Sequence, residues 1–103
     1  MDALTALAEP TRRRITDALR ARECSVSDLV AIVGMSQPAV SKHLRVLREA
    51  GVVSVEIRAQ RRIYRLEPAS FRELDAWLAP YRRLWTQHLA ALERHLDAKG
   101  EAG

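Results

Sequence analysis

The chain has 103 residues, 48% of them hydrophobic, with 17 Lys+Arg against 13 Asp+Glu for a formal net charge of +4. That length supports one modest core and excludes a large multidomain enzyme, and the balance of apolar and charged residues excludes a disordered polymer. A single cysteine excludes an internal disulfide framework and an all-thiolate zinc site.

The first predicted helix opens at Pro10-Thr11 and ends near Arg22. Proline suits a first helical turn because its missing N–H has no partner there. Ile15 and Leu19 give this helix a core face, and Arg12, Arg13 and Arg14 read as its solvated start. Ser25 or Ser27 caps a short helix carrying Leu29, Val30, Ile32 and Val33, and Gly34 is its stop. Ser36 then caps a third helix, with Pro38 in its first turn. Val40, Leu44 and Leu47 follow at helical spacing, and the helix runs to Gly51. Val52 to Arg58 is β-branched and partly alternating, and Arg61 to Leu66 alternates again, which predicts a hairpin. Its turn, Ala59-Gln60, lacks the Gly or Asn that two-residue turns favour. From Ser70 the helical period returns through Phe71, Leu74, Trp77 and Leu78, and Pro80 is expected to break or restart the helix. Across it, Leu74, Leu78, Tyr81, Trp85, His88, Leu92 and His95 follow the four-three spacing of a helical dimer seam. Lys99 to Gly103 reads as a frayed tail. No apolar run approaches the ~18–20 residues of a membrane span. Met1-Asp2-Ala3-Leu4 lacks the charged and apolar regions of a signal peptide, so a cytoplasmic protein away from the membrane is expected.

The basic excess is local. Residues 36–66 hold seven basic and two acidic side chains, whereas residues 67–103 hold five basic and six acidic. Such a patch is the electrostatic footprint of a phosphate-rich partner, and also what a solvated, solubilising surface looks like. Fifteen of the seventeen basic residues are Arg, the type suited to bidentate phosphate and guanine contacts.

Two short helices meeting at Val33-Gly34-Met35, with apolar Leu29, Val33, Met35 and Val40 around the glycine, form a helix-turn-helix pattern. The second helix spans roughly 20 Å at ~1.5 Å per residue, enough to lie in a DNA major groove. With Val40, Leu44 and Leu47 inward, Pro38, Lys42, Arg45 and Glu49 lie opposite, and Ser41 and Arg48 lie on one flank. This arrangement suits base-edge reading by Gln37, Lys42 and His43 and phosphate contact by Ser36, Ser41 and Arg45. The basic hairpin that follows reads as a wing, with Arg58, Arg61 and Arg62 at its tip and Tyr64 packed at its base. The fold expected is mainly α with a small β-hairpin, a winged helix-turn-helix.

At these residues a family resemblance emerges. Leu7-Ala8-Glu9-Pro10-Thr11-Arg12-Arg13-Arg14-Ile15, Ser36-Gln37-Pro38-Ala39-Val40-Ser41-Lys42-His43-Leu44, Leu47-Arg48-Glu49-Ala50-Gly51-Val52-Val53 and Arg61-Arg62-Ile63-Tyr64-Arg65-Leu66 together resemble the ArsR/SmtB-type winged-helix repressors. The resemblance implies a homodimer that binds an imperfect inverted repeat in double-stranded DNA and represses transcription. It implies a single domain, with residues 7–66 as DNA-binding core and residues 67–98 as C-terminal dimerisation helices. Dimerisation would use a first short helix, carrying Leu4, and a C-terminal seam with Leu78, Tyr81, Trp85, His88 and Leu92. The Trp77, Tyr81 and Trp85 region is similar to members that do not sense metal.

Two departures are informative. Metal-sensing members carry Cys-Val-Cys-Asp-Leu where this chain has Ser25-Val26-Ser27-Asp28-Leu29. Serine is a poor ligand for soft metals, and Cys24 stands alone one residue too early. The wing tip has Gln60 where the family usually has Gly. His88 and His95 lie about 10 Å apart along one helix, too far to share a metal within a protomer. A site bridging two protomers stays open, but the polar-seam reading is favoured, so no metal and no cofactor is expected. Ser41 and His43 face different ways on a helix and cannot pair as nucleophile and base. No phosphate loop, HExxH or nucleophile elbow is present, so no enzyme is expected. A helical dimer that binds a protein through its aromatic stripe is the alternative. Steep salt dependence separates DNA binding from it.

Overall fold

The computed structural model describes the backbone of residues 1–102 and the side chains of residues 1–100. Gly103, at the end of the tail expected to fray, lies outside the described residues. The element order is α1 (Ala3–Leu7), α2 (Pro10–Ala21), β1 (Cys24–Ser25), α3 (Val26–Val33), α4 (Gln37–Glu49), β2 (Val53–Arg58), β3 (Arg61–Leu66) and α5 (Pro68–Ala102).

Each early helix is started by a side chain that satisfies an otherwise unpaired backbone N–H. The carboxylate of Asp2 accepts from Thr5 N at 2.8 Å, and that of Glu9 accepts from Arg12 N at 2.8 Å. Ser25, not Ser27, caps α3. Its hydroxyl accepts from Asp28 N at 3.1 Å while Asp28 accepts from Ser25 N at 2.9 Å, a reciprocal capping box. Ser36 accepts from Ala39 N at the start of α4. Gly34 ends α3 with φ 69°, a left-handed backbone that glycine adopts without steric cost. Two arginines expected only to be solvated close helix ends instead: Arg13 donates to Leu7 O and Ala8 O, and Arg14 to Val33 O.

The hairpin forms in the expected register, from Val53 opposite Leu66 to Arg58 opposite Arg61. Ala59 and Gln60 both take positive φ, 48° and 70°, the conformation of a tight hairpin turn despite the unfavourable residue types. The sheet has three strands rather than two, in the order β1-β3-β2, because Cys24 and Ser25 pair with Tyr64 and Ile63. A two-residue strand is too short to show alternation in sequence.

The C-terminal region departs most from expectation. Pro80 neither breaks nor restarts the helix: α5 is one element of 35 residues with the proline inside it, and Lys99 and Gly100 are helical, not frayed. A proline removes one backbone hydrogen bond. Here that loss is confined to one turn of a long helix built largely from Leu, Ala and Arg, which are good helix formers.

The chain divides into two compact units, Met1–Arg72 and the helical segment from Glu73 onward. The first holds the core: Ile15, Leu19, Leu29, Val33, Val40, Leu44, Leu47, Val52, Val53 and Tyr64 are buried together with Ala6 and Cys24. Every apolar residue expected on the inner face of the third helix is there. In the second unit, Trp77, Leu78, Tyr81, Leu84, Trp85, Leu89, Leu92 and Leu96 are exposed within the protomer.

Candidate nucleic-acid interface

The core positions the candidate site by burying one face of α4. Val40, Leu44 and Leu47 are each at most 1% exposed, so the helix cannot roll about its axis. The opposite side is thereby fixed outward. Gln37, Ser41, Arg45 and Arg48 repeat every three or four residues and fall on one exposed strip. Together with Arg62 and Tyr64 of β3 and Val26 of α3, this strip lines an open cleft of about 500 Å³. Lys42 is also exposed, on an adjoining strip. Ser36 is exposed, with its hydroxyl engaged as the cap of α4.

Among the described residues, no carboxylate pairs with Lys42, Arg45, Arg48 or Arg62. Four uncompensated cations therefore lie on this side of α4 and the wing, where the start of α4 adds the partial positive charge of a helix N-terminus. Unpaired cations flanked by a serine hydroxyl and a glutamine amide can contact phosphate oxygens and base edges.

Of the other sequence-predicted residues, Arg61 adjoins this group, whereas Arg58 and His43 are engaged elsewhere. Arg61 donates to Ser25 Oγ at 3.0 Å and lies in a second cleft with Ser25, Ser27, Gln37, Gln60 and Arg62. Arg58 is held between two carboxylates, Glu23 at 2.7 Å and Glu56 at 2.8 Å, and Arg65 also reaches Glu56. These partners raise the Arg58 pKa further and lower that of Glu56, so this corner of the wing is charge-compensated. His43 turns inward. Its Nδ1 lies 3.4 Å from Arg12 Nη1 and 3.9 Å from Glu9 Oε2, and its side chain is 19% exposed. Arg48, conversely, was not among the expected contacts, although the helical wheel already set it on the flank with Ser41.

Where the resemblance sets the thiolates of metal-sensing members, Ser25 is buried and engaged by the capping box and Arg61. The Asp28 carboxyl is pushed below its ordinary pKa, chiefly by the Ser25 backbone N–H it accepts. Cys24, in β1, is buried, and burial raises its thiol pKa. Among the described residues, no group of three or more His, Cys, Asp or Glu side chains is arranged to hold a metal ion. Of the residues expected at a dimer seam, Leu4, Leu78, Tyr81, Trp85, His88 and Leu92 are all exposed, and the Trp77 and Tyr81 rings pack 5.0 Å apart. No helix among the described residues is long and apolar enough to cross a membrane.

Residues 9–55 match the family described as bacterial regulatory protein, arsR family. The chain is 35% identical over 99 residues to the HTH-type transcriptional regulator Rv2034 of Mycobacterium tuberculosis, covering 96% of this chain and 90% of that protein. It is 30% identical to the transcriptional repressor SdpR of Bacillus subtilis, over 71% of this chain and 81% of SdpR. Among solved structures, a possible transcriptional regulator for arsenical resistance superposes with a TM-score of 0.72 at 38% identity, covering 84% of this chain and 96% of that one. The helix-turn-helix, the wing and these relationships lead to one conclusion: the chain belongs to the arsR family of bacterial regulatory proteins and is a DNA-binding transcriptional regulator with a winged helix-turn-helix fold.

Proposed function

We propose that the protein is a homodimeric repressor that reads an inverted-repeat operator, with α4 of each protomer in one major-groove half-site. The observation that carries this reading is the strip of Gln37, Ser41, Arg45 and Arg48 beside Arg62, whose cations have no carboxylate partner among the described residues. Gln37 and Arg45 are assigned to base edges. Ser36, Ser41, Lys42, Arg48 and Arg62 are assigned to phosphates, and Arg61 and Arg58 flank the wing contact. Residues 7–66 form the DNA-binding part, and the remainder of the helix to residue 98 carries the dimer contact.

Dimerisation is supported by the exposed apolar stripe of α5, which includes Tyr81, Trp85 and Leu92, and by exposed Leu4 on α1. Soluble chains rarely leave so continuous an apolar surface uncovered. A two-fold dimer carries two copies of α4 and so matches an inverted repeat, with half-sites about one helical turn apart. Binding across a promoter would act by excluding polymerase in the cytoplasm.

Fluorescence anisotropy on the DNA upstream of its own gene, against a scrambled duplex at two salt concentrations, tests the reading. Preferential binding that weakens steeply with salt is expected. Absence of binding to any DNA at low salt would leave the aromatic stripe as the functional surface and overturn the assignment.

A further inference from the structure

The sequence pattern puts His43 in the DNA-reading stretch of α4, yet the fold points its ring into the protein. Its Nδ1 faces Arg12 Nη1 at 3.4 Å and Glu9 Oε2 at 3.9 Å. Arg12 reaches the other way as well, donating from Nε to Ala6 O of α1 at 2.7 Å. Glu9 accepts from Arg12 N and caps α2. A relay of three side chains thus joins the end of α1, the start of α2 and the middle of α4.

Guanidinium nitrogens only donate, so a hydrogen bond from Arg12 to Nδ1 requires that nitrogen to be unprotonated. The ring is then neutral with its proton on Nε2. Protonation places an N–H on Nδ1, directed at a permanent cation on one side and a carboxylate on the other. The pair with Arg12 becomes repulsive and the pair with Glu9 becomes attractive. Glu9 stays ionised across the histidine range, because the Arg12 backbone N–H lowers its carboxyl pKa.

Among the described residues, the hydrogen-bond and ion-pair contacts of the ring are with Arg12 and Glu9. Elsewhere on α2, Arg13 and Arg14 donate to the ends of α1 and α3, and Asp17 and Arg20 are exposed. α4 packs on α1, α2, α3 and β2. α1 carries no charged side chain, and Asp2, which caps it, is engaged with Thr5. The Asp28 carboxylate of α3 is held in the capping box, and Glu56 of β2 is held by Arg58 and Arg65. On α4 itself, Lys42 and Arg45 are exposed.

We propose that His43 is a positioning residue for the recognition helix: neutral, it is tied through Arg12 to α1, and on protonation it exchanges Arg12 for Glu9, which loosens that tie and lowers the preference for operator over other DNA. This rests on α4 being the DNA-reading helix. It makes sequence discrimination, rather than gross affinity, the quantity that falls on mild acidification.

Two measurements test it on the full-length protein, with the signals and pH response of His43 identified by difference from His43→Gln. The first needs no DNA. Nitrogen NMR of the imidazole at pH 7.5 is expected to show the Nε2–H tautomer, and a Nδ1–H tautomer would overturn the relay. In the same spectra, Glu9→Gln removes the partner of the charged form and is expected to shift the His43 titration to lower pH; an unmoved midpoint counts against the exchange. The second uses a duplex selected from a random pool by the protein at pH 7.5, measured against a scrambled duplex. The affinity ratio is expected to fall roughly three- to tenfold at pH 5.5, the scale of one net hydrogen bond, and to stay level with pH in His43→Gln. An equal fall in His43→Gln overturns the proposal. If no duplex is enriched, the assignment of α4 as reading helix fails, and the tautomer still decides the relay.

Discussion

At the level of single residues, the difference between Arg62 and Arg58 is the most useful one. Both lie near the wing tip in sequence, but Arg62 stands beside α4 without a carboxylate partner while Arg58 is clasped by Glu23 and Glu56. A cation already paired must give up its partners to meet a phosphate, so it contributes less. Arg45→Ala and Arg62→Ala are each expected to weaken DNA binding, with Arg45→Ala costing about 1–3 kcal/mol if it meets a base and Arg62→Ala reducing the salt slope by about one. Arg58→Ala is expected to change affinity less than either. Anisotropy titrations of the three variants over a salt series check this ordering; a larger loss in Arg58→Ala would reverse the assignment within the wing. Residue types and helical spacing made the outward face of α4 readable from sequence, Arg45 included. What they did not reveal is pairing. Glu23, which pairs with Arg58, and Arg12, which meets His43, lie 35 and 31 residues away along the chain, and nothing local marks them.

At the level of elements, boundaries were legible where side-chain chemistry marks them. Ser36, Gly34 and Pro10 sit where the caps and starts of helices belong. The caps also set an acid limit. The Asp2, Glu9 and Asp28 carboxyls are all held below their ordinary pKa, each chiefly by the backbone N–H it accepts. Their stabilisation is complete above the unfolded values and is lost as pH falls through the lower folded ones. Thermal stability is therefore expected to decline below about pH 4, and Asp28→Asn should flatten the decline; melting curves followed by circular dichroism from pH 2.5 to 7 check it. The wing turn was legible only by elimination. Ala59 and Gln60 pay for left-handed backbone that residues with a Cβ disfavour by about 1–2 kcal/mol each. Replacing them with Asn-Gly is expected to raise unfolding stability by about 1 kcal/mol, read from the urea midpoint at unchanged slope. The continuity of α5 through Pro80 was not legible, because a proline signals a lost hydrogen bond but not whether the turns on either side hold the helix together.

At the level of the whole molecule, the sequence divides its chemistry as the structure does: cations concentrate in residues 36–66, and an unbroken apolar stripe follows. Trp85 is the most exposed large side chain of that stripe at 63%, and its seven-residue relation to Leu78 and Leu92 is that of a seam. Burying an indole in a partner and then truncating it forfeits several kcal/mol, so Trp85→Ala is expected to raise the monomer–dimer constant by at least tenfold in sedimentation equilibrium. The consequence for DNA follows from mass action. If each protomer reads one half-site, the dimer gains from linking two weak contacts, and that gain vanishes for separated protomers. At protein concentrations between the two dimer constants, the wild type is expected to occupy an inverted repeat while Trp85→Ala does not, although both should bind an isolated half-site equally weakly. A variant that loses half-site binding as well would place Trp85 in the folding of the protomer. A variant that keeps full binding to the repeat with a wild-type dimer constant would remove α5 from the interface. The pair of measurements therefore separates the apolar stripe from the basic strip, which a single affinity cannot do.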